Sequence, residues 1–251
     1  MRLPSSTEAR PSLFAMAPRS ASAPRAPGYS MKVKNAGEAE VILYGDVGDS
    51  WFGGVTAIDF AADLKTLGKV DTISVRINSP GGDVFDGMTI YRLLVDHPAK
   101  VVVHVDGLAA SIASVIAMAG EEIHISESGF LMIHNAWGVA VGSAAEMRTT
   151  ADLLDSVTSS LRDIYVARTG KTADEITAWM DAETWFSAAD AVSNGFATDI
   201  AANMQLAAKI DPAKHKGLRH VPAALSGTPN LAAARQRLSV MKLKLDRARA
   251  A

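Results

Sequence analysis

The chain has 251 residues, no cysteine, 48% hydrophobic residues and a formal net charge of −2. That length and apolar content support one sizeable core with extensions, while the lack of cysteine excludes disulfides and thiolate chemistry. The longest apolar stretches break well short of the roughly 20 residues that span a bilayer, so no membrane partner is expected and a cytoplasmic location fits.

Residues 1–30 are rich in Pro, Ser, Ala and Arg, with four Arg against one Glu, and show no sustained apolar period. They read as a disordered basic N-terminal extension. An organelle transit peptide shares that composition, although no amphipathic helix is evident. Residues 31–200 carry 11 basic and 24 acidic residues, a net of −13, and form the expected folded domain. Residues 201–251 carry 10 basic and two acidic residues, a net of +8, and read as a basic C-terminal extension: a linker followed by a helix over 231–250. Basic ends on an acidic body suit contact with an acidic partner or with neighbouring copies, or simply solvated tails.

Within the domain, residues 41–44 form a short strand candidate and residues 55–67 a helix with one apolar face. Ile73, Val75 and Ile77 alternate with polar residues and run into the breaker cluster Asn78-Ser79-Pro80-Gly81-Gly82-Asp83. Val84, Met88, Tyr91 and Val95 follow at helical spacing. Residues 101–105 read as a buried strand, 108–119 as a helix of small residues, and Ile123 with Ile125 and then residues 130–133 as further strands. Strands alternating with helices predict a mainly parallel sheet. Met147, Leu154, Val157, Leu161, Ile164 and Tyr165 mark one face of a long helix over 143–168. Thr172 with Glu175, and Ser187 with Asp190, have the spacing of capping boxes.

Three features could carry chemistry. Gly107-Leu108-Ala109-Ala110-Ser111 follows a Val-rich strand and opens a helix, where free amides can hold an oxyanion. A serine there is also a common helix cap. The Gly81-Gly82 pair can turn its amides toward a ligand or merely make a tight turn. It lacks the spacing and the Lys-Ser/Thr of a phosphate-binding loop. His134 ends an apolar strand, as a general base or as a satisfied core residue. The other five histidines (His97, His104, His124, His215 and His220) are less suited and lack zinc-site spacing. Together the three features suggest acyl transfer, with Ser111 as nucleophile, His134 as base, and the amides of Gly82 and Ile112 as oxyanion donors.

Residues 78–82, 107–111 and 132–134 resemble the three signature blocks of the caseinolytic (Clp) protease proteolytic subunit. Ala167-Arg168-Thr169-Gly170 and the run from Phe186 to Gly195 match its later blocks, so the resemblance covers roughly residues 41–200. It implies an α/β crotonase-like fold, a spiral of βαβ units with a long handle helix. It also implies a serine endopeptidase with a Ser–His–acid triad, needing no metal, nucleotide or other cofactor and no nucleic acid. The acid position falls on Glu183 where the family usually has Asp; Asp181 is the alternative, and a Ser–His dyad the third possibility. Gly81, Gly138 and Val139 would bind extended substrate. The partners implied are a protein or peptide substrate, further copies of the chain in a heptameric ring or stacked rings, and an ATP-driven unfoldase. The stretch Glu183-Thr184-Trp185-Phe186-Ser187-Ala188 resembles the phage-associated branch, whose members mature proheads by cutting scaffold or capsid precursor. The rival expectations are an acyl-CoA hydratase or isomerase of the same fold, a relative of signal-peptide peptidases, and a non-catalytic structural ring.

Overall fold

In the computed structural model, residues 28–48, 54–201, 220–222 and 225 are described. Residues 1–27, most of the basic C-terminal segment and the helix expected over 231–250 lie outside them. The Val/Ile-rich runs pair into one eight-stranded sheet. Its continuous order is β1 (Tyr29–Asn35), β2 (Glu38–Tyr44), β3 (Thr72–Ser79), β4 (Lys100–Ala110), β5 (Glu122–Ser126) and β8 (Asp199–Ala201). β6 (Phe130–Ile133) branches off β4 and carries β7 (Thr184–Ser187) on its other edge. All pairings are parallel except β1 with β2 and β6 with β7. The mainly parallel sheet therefore follows from crossover helices between strands that are buried on both faces.

α1 (Ala57–Thr66) precedes β3, α2 (Val84–Val95) joins β3 to β4, and α3 (Ile112–Ala117) joins β4 to β5. The main core combines the inward residues of β2 to β5 with Phe60, Ile90, Leu94 and the wholly buried α3. α4 (Ala144–Thr169) is 26 residues long, roughly 39 Å at 1.5 Å per residue. Its capping box at Ser143 is formed, as are those at Thr172 before α5 (Ala173–Asp181) and at Ser187 before α6 (Ala188–Ser193). The apolar stripe expected along α4 is buried only at Val157, Leu161 and Tyr165. Met147 and Leu153, near its start, are 48% and 52% exposed, so among the described residues this end is only partly covered.

Two expectations need correction. Strand β1 begins at Tyr29, inside the stretch read as disordered, because Tyr29 and Met31 are buried and pair with β2. The helix expected over 108–119 is shorter, because residues 108–110 continue β4 and pair with β6. Small residues carry no alternating pattern, so hydrogen bonding to a neighbouring strand decided their conformation rather than intrinsic preference.

Candidate active site

β4 changes partner along its length. Its first half pairs with β5 (Val102 to Val105 opposite Glu122 to Ile125), and its end pairs with β6 (Leu108 to Ala110 opposite Phe130 to Met132). Between them β4 gains two residues on β3, since Ile77 faces Val105 but Ser79 faces Ala109. Such an irregularity redirects a strand. Here it delivers Ser111 to the junction with α3, beside the end of β6, where His134 follows Ile133.

Ser111 occupies the N-cap position of α3 with φ +55° and ψ −132°, a strained conformation for a residue with a side chain. Such strain costs on the order of 1–3 kcal/mol and persists only where surroundings enforce it. The surroundings are explicit. The Ser111 N–H donates to the Met132 carbonyl at 3.0 Å. The Ser111 carbonyl accepts from Ser114 N–H at 3.0 Å and from Ser114 Oγ at 2.6 Å. Because that bond uses the Ser114 proton, Tyr165 is the donor in the 2.7 Å contact between its hydroxyl and Ser114 Oγ. Tyr165 is fully buried in α4, and burial pushes its phenol far above the usual range, so it remains a donor. Ser111 makes no side-chain cap bond; its Oγ lies 2.7 Å from His134 Nε2 instead. His134 is 9% exposed.

The Gly81-Gly82 turn packs directly against this pair. A Cβ on Gly81 would lie 2.7 Å from Ser111 Cβ and 2.8 Å from the Ala110 carbonyl; one on Gly82 would lie 2.0 Å from the Val47 carbonyl. Their φ values of +97° and +149° add to the requirement for glycine. Val47 bridges Gly82 and bonds both flanking residues, its N–H to Gly81 O and its carbonyl to Asp83 N–H. The amide of Ile112 heads the first turn of α3, where the helix supplies no acceptor. Ser111, His134, Gly82 and Ile112 line one cavity of about 230 Å³, together with Leu154 and Leu161 of α4. Gly81 borders Ser111, whereas Gly138 and Val139 lie in the exposed stretch leading to α4, with Val139 86% exposed.

A smaller cavity of about 90 Å³ adjoins His134 and is also lined by Asn135, Asp181, Glu183 and His220. The two candidate acids differ there. Glu183 is 6% exposed, sits at φ +50° between α5 and β7, and accepts on Oε1 from the His220 N–H at 2.6 Å and from Trp185 Nε1 at 3.3 Å. Asp181 ends α5 in solvent and accepts from Asn135 Nδ2 at 2.7 Å. The contacts from Ser114, Tyr165 and His220 were not anticipated. Only the Ser111-x-x-Ser114 spacing, common at helix starts, hinted at the first. Among the described residues, no cluster of three or more His, Asp or Glu could hold a metal ion, and no helix is long and apolar enough to cross a membrane.

Comparison with known proteins gives a consistent result. The sequence model of the Clp protease family matches residues 35–204. The ATP-dependent Clp protease proteolytic subunit 1 of Leifsonia xyli is 34% identical over 149 residues, covering 57% of this chain and 76% of the relative. The corresponding subunit of Bacteroides fragilis is 33% identical over 150 residues, covering 58% and 72%. Subunit 1 of Mycobacterium tuberculosis is 31% identical over 130 residues, covering 51% and 65%.

Proposed function

The chain belongs to the Clp protease family and is a serine endopeptidase, and we propose that Ser111 is its nucleophile, His134 its general base and Glu183 the acid that orients the base. The observation that carries this reading is the 2.7 Å contact between Ser111 Oγ and His134 Nε2 at a strained strand–helix turn. His134 takes the Ser111 proton through an unprotonated Nε2, so its neutral form carries hydrogen on Nδ1, the side an acid can hold. Ser111 attacks the scissile carbonyl, and the amides of Gly82 and Ile112 receive the oxyanion. His134 returns its proton to the leaving amine, and water then hydrolyses the acyl-enzyme. Burial and two N–H donors favour Glu183 over the exposed Asp181 as the acid. Gly81 borders the extended substrate, and the stretch holding Gly138 and Val139 is its outer rail.

Intact mass after treatment with an alkyl fluorophosphonate tests the assignment. One adduct on wild type, absent from Ser111→Ala, is expected; an unlabelled wild type in its assembled form sinks it in favour of a structural ring. The assembly we propose is a homo-oligomeric ring, supported by the half-exposed apolar side chains Met147 and Leu153 near the start of α4.

For the substrate, we propose capsid or scaffold precursor cut during phage head maturation in the host cytoplasm or prohead. The Glu183 to Ala188 block supports this, as do the basic segments outside residues 35–204. The relatives' names favour a second reading, a housekeeping subunit working with an ATP-driven unfoldase. Capsid precursor processing without ATP favours the first, and degradation of folded proteins only with unfoldase and ATP the second.

A further inference from the structure

Residues 220–222 and 225 lie beside the proposed active site. They lie well beyond the last strand and beyond residues 35–204 that match the family. Leu225 is 3% exposed and packs with Leu108, Ala110 and Met132, with Val221 and Trp185 partly buried against the same cluster. Those contacts fall on the ends of β4 and β6, just before Ser111 and His134. A turn bond from Leu225 N–H to the Pro222 carbonyl, 2.9 Å, shapes the segment. Its other end places the His220 N–H 2.6 Å from Glu183 Oε1, closer than the Trp185 Nε1 donor at 3.3 Å.

We infer that this segment is a positioning strap, with Leu225 as its anchor and the His220 backbone amide as the donor that aims the Glu183 carboxylate. The inference rests on the assignment of Glu183 as the acid. A buried carboxylate needs donors to remain charged, and two donors converging on one oxygen restrict rotation of the group. Trp185 is fixed by β7, but the second donor arrives only when the strap docks. Burial of the Leu225 side chain supplies the docking energy.

The test uses the full chain, because proline at 220 removes the N–H while alanine retains it. The second-order rate of Ser111 labelling by an alkyl fluorophosphonate is measured for His220→Ala and His220→Pro, each with Glu183 present and with Glu183→Ala. Circular dichroism checks that each variant folds. With Glu183 present, the proline variant is expected to react about tenfold more slowly than the alanine variant; with Glu183→Ala the two rates converge. Leu225→Ala, which loosens the anchor and keeps every N–H, gives a smaller loss and serves if the proline variant does not fold. Equal proline and alanine rates with Glu183 present overturn the strap, as does the same ratio in both backgrounds, which marks a general effect on folding. Faster labelling with proline also overturns it, because the segment would then be inhibitory. If Glu183→Ala alone labels at the wild-type rate, the acid assignment itself fails; a clear loss there with equal proline and alanine rates sinks only the strap.

Discussion

The two halves of β4 divide the work of the molecule. Its first half, with Val101, Val103 and Val105 buried and β5 alongside, is a core strand whose side chains fill space. Its second half is Gly107 followed by Leu108, Ala109 and Ala110, with little side-chain volume, and pairs with β6. The first half contributes chiefly to the core, and the second leads into Ser111. Ala109 and Ala110 leave room there for the Gly81 turn, on which a Cβ would lie 2.7 Å from Ser111 Cβ, and for the bond from Ser111 N–H to the Met132 carbonyl of β6 at 3.0 Å.

Substitutions can separate the halves. The largest effect is expected at the end of the second: Ser111→Ala should lower kcat by about 10⁶-fold, the loss typical of a triad nucleophile, with an unchanged unfolding curve. Gly81→Ala comes next, because the added Cβ meets Ser111 Cβ at 2.7 Å in a left-handed conformation. A loss of about 10²-fold in kcat, the scale of a misplacement of about 1 Å, is expected, read by peptide hydrolysis. Ile123→Ala probes the first half through its β5 neighbour, which is fully buried. It should cost about 2–5 kcal/mol in denaturant unfolding while kcat per folded molecule stays near wild type. A kcat loss comparable to that of Gly81→Ala would erase the division.

The smallest effect concerns His104, on the first half of β4. Burial is the main cause that lowers its pKa, with the charges of His124 and Arg76 adding to it against the opposing pull of Asp106. Its ring stacks on His124 at 5.1 Å. A folded pKa below the unfolded value means that the unfolded chain binds more protons, so stability rises with pH in this window. His104 therefore contributes fully above the ordinary histidine range, and the contribution is lost as pH falls through about 6.5 toward the depressed folded value. Urea unfolding at pH 7 and pH 5 should show a smaller decline for His104→Gln than for wild type; equal declines would remove His104 from the account.

What the sequence made legible follows the same division. α2 and β6 have the bounds read from the sequence, and the capping boxes expected at Thr172 and Ser187 both form. These depend on neighbours within a few residues. Strand β7, by contrast, is only four residues long and owes its state to antiparallel pairing with β6. The three-residue β8 depends likewise on β5. Ser111 and His134 stood out because each interrupts an apolar run, and the structure brings them together. The bond from Ser114 to Tyr165 spans 51 residues, and that from Glu183 to His220 spans 37. No local pattern encodes contacts of that length, which tertiary packing alone creates.

The ladder between β4 and β6 has one more consequence. Ala110 faces Met132 in register, and Ser111 bonds the Met132 carbonyl, so the spacing of Ser111 and His134 is set by strand pairing rather than by either side chain. A one-residue slip would turn His134 to the opposite face. A newly synthesised chain whose β6 has not zipped onto β4 holds a serine hydroxyl with no base to activate it. On the proposed assignment, hydrolytic competence requires this strand pairing.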